Sequence, residues 1–85
     1  MKSFVAVLIA ITFVSTALAG PSCNAPKDKW MNPSDFKQLI EKQGYQIKTF
    51  KVNRGQCYEI YGLDKDGRRV EIYFDPVTAA VIERK

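Results

Sequence analysis

Residues 57–74 read CYEIYGLDKDGRRVEIYF, and this stretch decides the fold. Apolar and polar side chains alternate on both sides of a central DKDG, which is typical of two half-buried strands joined by a tight turn. Asp64 and Gly67 suit the first and fourth positions of a type I turn, and the glycine suits the G1 bulge of a three-residue hairpin loop. The pattern therefore predicts an antiparallel hairpin.

The turn also decides which side chains share a face, because Asp64 then pairs with Arg68. The face that we expect to be buried carries Tyr58, Ile60, Gly62, Val70, Ile72 and Phe74. The opposite face, called the outer face below, carries Glu59, Tyr61, Leu63, Arg69, Glu71 and Tyr73. A two-residue turn at Asp66-Gly67 is the alternative. It would put Glu59 on the apolar face, where an unpartnered carboxylate costs several kcal/mol, so we favour the first register.

The flanking segments extend this hairpin into a larger sheet with one helix. Asn32 suits the N-cap of a helix that ends at Gly44. Residues 45–52 alternate as a strand whose phase slips near Thr49, which indicates a bulge, and residues 80–83 form a short last strand. We therefore predict an α+β fold in which one N-terminal helix packs on a four-stranded antiparallel meander, while the outer face is solvated.

An apolar leader precedes this domain. Residues 4–14 are almost wholly apolar, and residues 17–19 read ALA, the small-x-small pattern of a signal-peptidase site. We predict a signal peptide over residues 1–19, cleaved between Ala19 and Gly20, and a soluble protein in the periplasm or outside the cell. The apolar run is too short to span a bilayer, so we expect no stable membrane insertion. An uncleaved anchor is the alternative.

Cys23 and Cys57 are the only cysteines in the chain. In an exported protein such a pair predicts one structural disulfide, and no C-x-x-C spacing points to a redox role. The bond would tie an extended lead-in segment, residues 20–29, to the sheet. Closing a loop of this length stabilises a fold by about 3.5–4 kcal/mol in the chain-entropy account.

Composition excludes several chemistries. The net charge of +4 is spread among acidic residues, so the basic stripe expected of a nucleic-acid partner is missing. The chain has no histidine, which excludes a Ser-His-Asp triad and a usual catalytic zinc site. Glu59 and Glu71 are the candidate pair for glycoside hydrolysis, but we expect ion pairs to Arg69, Arg68 or Lys48 instead. We predict no catalytic residue, metal or cofactor.

Four short elements together point to a known family. They are Gly44-Tyr45, Tyr58-Glu59-Ile60-Tyr61-Gly62, Asp66-Gly67-Arg68-Arg69-Val70-Glu71-Ile72-Tyr73 and Asp75-Pro76-Val77-Thr78. In this order they resemble the PepSY family of small domains related to the propeptides of secreted metallopeptidases. The resemblance implies a PepSY-like domain over residues 30–85, an extracytoplasmic bacterial location, no catalytic residues and a role in binding or inhibiting peptidases. Ala79 departs from the family pattern, which usually has glycine there.

The outer face is the candidate binding surface, because tyrosines among mixed charges are a common interface composition. We predict a monomeric, non-enzymatic binding module that inhibits or modulates a secreted or envelope peptidase. The alternative is a structural or accessory envelope protein whose outer face contacts cell wall, lipid or a small ligand.

Overall fold

The computed structural model describes residues 20–85, and the predicted leader lies outside them. After a short 3-10 turn at Lys27–Lys29 comes one helix, α1 (Pro33–Lys42). Four strands follow in chain order: β1 (Gln46–Val52), β2 (Tyr58–Leu63), β3 (Arg69–Phe74) and β4 (Val81–Arg84). They pair as an antiparallel meander in the order β1-β2-β3-β4. The predicted α+β class is confirmed.

Local sequence signals set both ends of α1. The Asn32 side chain accepts a hydrogen bond of 2.8 Å from the Ser34 amide, as an N-cap does. At the other end Gly44 has φ +103°. The Tyr45 amide donates back to the Ile40 carbonyl over 3.4 Å, which completes a Schellman motif. The glycine is therefore needed where the backbone turns left-handed.

The β2–β3 hairpin has the predicted register. Tyr58 lies opposite Phe74, and Leu63 lies opposite Arg69. The Gly67 amide donates to the Asp64 carbonyl over 2.9 Å, and Gly67 has φ +80°, so the type I turn with a G1 bulge is confirmed.

The predicted bulge in β1 falls at Lys48. Ile47 pairs with Gly62, whereas Thr49 pairs with Tyr61, so Lys48 is the extra residue. The backbones of β1 and β2 approach each other closely beside this bulge. An ideal Cβ on Gly62 would lie only 2.0 Å from a backbone carbonyl oxygen of β1. Only glycine fits there, and the bulge turns the Lys48 side chain toward the outer face.

The main core lies between α1 and the sheet. Phe36 and Ile40 of α1 are fully buried against the apolar face of β2 and β3. The Phe36 ring packs edge-on against Tyr58 at 4.9 Å and Phe74 at 5.0 Å between ring centroids. Such edge contacts suit the ring quadrupoles and add to the apolar area removed from water. Trp30 packs against the Tyr58 ring from beside the helix start.

The lead-in segment crosses to the other side of the sheet. Cys23 and Cys57 form a disulfide with an S–S distance of 2.06 Å, as predicted. The Cys23 amide donates to the Gly55 carbonyl over 2.8 Å. A Cβ on Gly55 would lie 2.1 Å from the Pro21 carbonyl oxygen, so the two backbones touch. The lead-in is not wholly extended, because residues 27–29 form the 3-10 turn.

Candidate binding face

The register of β2 and β3 brings all six predicted residues onto the outer face. Three cross-strand pairs hold them, namely Glu59 with Tyr73, Tyr61 with Glu71, and Leu63 with Arg69. The expectation of a solvated outer face is wrong at one end. Glu59 is 2% exposed and Tyr73 is 5% exposed, whereas Tyr61 is 40% exposed.

The buried end of this face is explained by the disulfide. Cys23, Cys57 and Tyr73 form a small buried cluster of their own. Gly20 also lies against the Tyr73 ring, since a Cβ there would be 3.0 Å from Cε2. The lead-in segment therefore shields Tyr73 from solvent on the side opposite α1.

Beside this cluster, two carboxyl groups and two tyrosines form a hydrogen-bonded network. The Tyr73 hydroxyl donates to Glu71 Oε2 over 2.6 Å, and the Tyr61 hydroxyl donates to the same oxygen over 3.0 Å. The Glu59 and Glu71 carboxyl groups also interact with each other, and this interaction shifts the pKa of both groups.

The environments of the two carboxyl groups shift their pKa values in opposite directions. Burial raises the pKa of Glu59, and its interaction with Glu71 raises the pKa further. The hydrogen bond from the Tyr73 hydroxyl lowers the pKa of Glu71. Glu59 is therefore the carboxyl group that is harder to ionise, and Glu71 is the one that accepts the two tyrosine hydrogen bonds. Donation to Glu71 also raises the pKa of Tyr61 to about 12.

Lysines flank this network, but not the cations expected from sequence. Lys51 Nζ lies 3.9 Å from Glu59 Oε1 and 5.6 Å from the centre of the Tyr61 ring. On the other side, Lys85 Nζ lies 5.5 Å from the centre of the Tyr73 ring. The predicted ion pairs of Glu59 and Glu71 with Arg69, Arg68 or Lys48 do not form, because tyrosine hydroxyls and Lys51 occupy the carboxyl groups instead.

A shallow pocket opens at the exposed end of the outer face. Its volume is about 430 Å³. It is lined by Lys48, Tyr61, Gly62, Leu63, Arg69 and Val70. Three of the predicted site residues thus share this outer-face pocket, while Glu59, Glu71 and Tyr73 belong to the network beside it.

Sequence reasoning overlooked Lys51 and gave Lys48 a different role. Lys51 lies directly opposite Glu59 in the β1–β2 register. That pairing follows from the phase slip near Thr49 once the bulge is placed at a single residue. The sequence predicts that Lys48 pairs with a carboxylate. A bulge residue leaves the regular alternation, however, so the direction of its side chain does not follow from its odd or even position in the strand.

Within residues 20–85, every buried side-chain oxygen and nitrogen has a hydrogen-bond partner. In the same part of the chain, no group of three or more potential metal-ligating side chains comes together. No helix among the described residues is long and apolar enough to cross a membrane. What the outer face offers is a rigid tyrosine–carboxyl surface beside an open pocket.

Comparison with known proteins gives one match. A family model described as "Peptidase propeptide and YPEB domain" matches residues 3–85. No curated protein and no solved structure matches the chain. Domains of this family are propeptide-like or peptidase-associated modules, generally non-catalytic and typically exported, and the disulfide fits an oxidising compartment. Because the match spans nearly the whole sequence, the chain belongs to the PepSY family.

Proposed function

We propose that this protein is an exported, non-enzymatic binding module that inhibits or modulates a secreted or envelope peptidase through its outer face. The single observation that carries the proposal is that the outer face is ordered by hydrogen bonds and yet partly exposed. Its tyrosine and carboxyl side chains are fixed by hydrogen bonds, while Tyr61 stays 40% exposed beside an open pocket. Ordered aromatic side chains bind at a low entropic cost and dominate many interfaces.

The way in which the two sides of the sheet are covered favours the outer face as the binding surface. α1 covers the apolar side, so Phe36 and Ile40 are not available to a partner. The lead-in segment covers only the part of the outer face around Tyr73. The remaining outer face combines exposed aromatic and charged groups, which is the composition of a non-obligate interface.

The test uses the exported, oxidised protein and the peptidases secreted by the same organism. The first is a metallopeptidase whose own propeptide has been removed, assayed with a fluorogenic peptide. We expect slower cleavage and a one-to-one complex by size exclusion. Tyr61→Ala should weaken inhibition at least about 10-fold, as loss of an interface aromatic does. Leu39→Ala, an exposed apolar truncation on α1, is the matched control and should inhibit like the wild type.

Two results would refute this function. One is that no secreted peptidase changes its rate or forms a complex. The other is turnover of a substrate by the isolated protein. Binding to vesicles containing anionic lipid that weakens with salt, without any peptidase complex, would instead favour an envelope accessory role.

Export is part of the proposal and has its own test. We propose cleavage between Ala19 and Gly20 followed by oxidation of Cys23 and Cys57. A mass measurement on secreted protein should give a chain beginning at Gly20 and two hydrogens lighter than its reduced form. A retained leader would contradict the proposed processing.

A further inference from the structure

The outer-face pocket has a charge pattern that the proposed function does not explain. Lys48 and Arg69 line it from different strands. Within the described residues 20–85, neither side chain makes an ion pair or a side-chain hydrogen bond. Two unneutralised cations at one opening attract an anion, and partial removal from water strengthens that attraction.

A second depression in the protein shows the contrast. It has a volume of about 240 Å³ and contains Asp64, Tyr45 and Arg84 among its lining residues. There Arg84 lies 3.4 Å from Asp64 Oδ2 and donates to the Tyr45 hydroxyl over 3.0 Å. Its arginine is thus already neutralised within the fold, whereas the outer-face pocket has cations and no acid of its own in its lining.

The pocket also has an apolar wall. Leu63 and the Tyr61 ring line it beside the two cations. The Tyr61 hydroxyl is bonded to Glu71, which fixes the ring and places a carboxylate just beyond the wall. That carboxylate repels an anion from the Tyr61 end, so a bound anionic group is directed toward Lys48 and Arg69. The volume lies within the range of about 300–1,000 Å³ usual for ligand pockets.

We propose that this pocket binds an acidic side chain of a peptide segment, with the neighbouring apolar side chain packed against Tyr61 and Leu63. Charge complementarity selects the carboxylate, and the apolar wall selects a peptide that presents both groups together. The identification of this segment as part of a peptidase rests on the proposed function. Recognition of the acidic–apolar pair itself does not.

The experiment titrates two short peptides into the exported, oxidised protein and follows backbone amides by NMR. The probes are acetyl-Ala-Leu-Asp-Ala-amide and its Asn analogue, which has the same shape without the charge. We expect the largest shifts at Gly62 and Val70, which line the pocket. The Asp peptide should bind about 5- to 20-fold more tightly than the Asn peptide, the range of a partly exposed charge-assisted hydrogen bond. Added salt should narrow that difference.

Variants that each remove one positive charge show which side chains cause the preference for the Asp peptide. Arg69→Gln and Lys48→Gln should each weaken the Asp peptide about 5-fold or more and leave the Asn peptide unchanged. Arg54→Gln is the matched control, because it removes the same charge from an exposed residue in the turn at the opposite end of the sheet. It should bind both peptides as the wild type does. Equal binding of the two peptides, or shifts confined to other residues, would overturn the inference.

The outcomes also separate this inference from the proposed function. An Arg69→Gln protein that inhibits a peptidase at full strength would overturn the pocket's role and leave the proposed function standing. A wild-type protein that discriminates between the two peptides but inhibits no peptidase would support the pocket and overturn the proposed function.

Discussion

Replacing Glu59 by glutamine tests whether the buried Glu59 carboxyl group is unfavourable in its ionised form. The Glu59 side chain is only 3% exposed, and its ion-pair partner Lys51 is 54% exposed at 3.9 Å. An exposed cation at that distance contributes at most about 1 kcal/mol, whereas a buried and poorly compensated charge costs about 1–3 kcal/mol. The ionised form of Glu59 is therefore unfavourable in the folded protein.

The pH dependence of this effect has a definite sign. Burial raises the pKa of Glu59 above its ordinary value of 4.5, so the folded protein holds that proton more tightly than the unfolded chain does. The resulting stabilisation is complete below pH 4.5 and is lost as the pH rises through the raised value. Glu71 acts oppositely, because the Tyr73 hydroxyl lowers its pKa and stabilises the fold above about pH 4.5.

We expect Glu59→Gln to keep the shape of the buried side chain and its ability to donate a hydrogen bond, while removing the group that ionises. The variant should unfold with a free energy within about 0.5 kcal/mol of the wild type at pH 4 and about 1 kcal/mol higher at pH 8. Urea unfolding of the oxidised protein at several pH values measures both. Glu41→Gln, an exposed change on α1, should give no such trend.

A Glu59→Gln variant that is less stable than the wild type at pH 8 would refute this reasoning. It would mean that the ionised Glu59 and Lys51 together stabilise the fold, and that burial does not make the charged form of Glu59 unfavourable.

Three further predictions concern the backbone and the disulfide. Ala79 has φ +65°, so Ala79→Gly should relieve left-handed strain and raise the free energy of unfolding by about 0.5–1 kcal/mol; a lower urea midpoint would contradict this. Gly62→Ala should destabilise the fold by about 3 kcal/mol, because the new Cβ would meet β1 at 2.0 Å. Gly67→Ala, with no atom within 4 Å, should cost only about 1 kcal/mol, and equal losses at the two sites would disprove the close approach. Replacing Cys23 and Cys57 by alanine should lower the free energy of unfolding by about 3.5–4 kcal/mol, as judged against the oxidised wild type in urea.

The sheet was predictable because alternation and turn chemistry agree. The β2–β3 register and the bulge in β1 follow from the turn at residues 64–67 and from the phase slip near Thr49. Side-chain parity alone placed all six outer-face residues together. These features depend on near neighbours in sequence, where the local rules are strong.

The sequence does not predict that the lead-in segment covers part of the outer face. This segment has no hydrophobic periodicity that would assign it to one side of the sheet. One signal was present. Cys57 lies two residues before Glu59, so in the alternation of β2 it belongs to the outer face. A disulfide from Cys23 must therefore bring residues 20–23 to that side. The pairing of Lys51 with Glu59, by contrast, follows from the β1–β2 register.

The sheet is thus closed on its two sides by unlike means. α1 is held by apolar packing, which a denaturant weakens, whereas the lead-in segment is held by a disulfide, which a thiol breaks, together with backbone hydrogen bonding to Gly55. We therefore expect a reductant to loosen the cover over Tyr73 and to lower the stability of the fold. The same bond therefore both covers one end of the outer face and contributes to the stability of the whole domain.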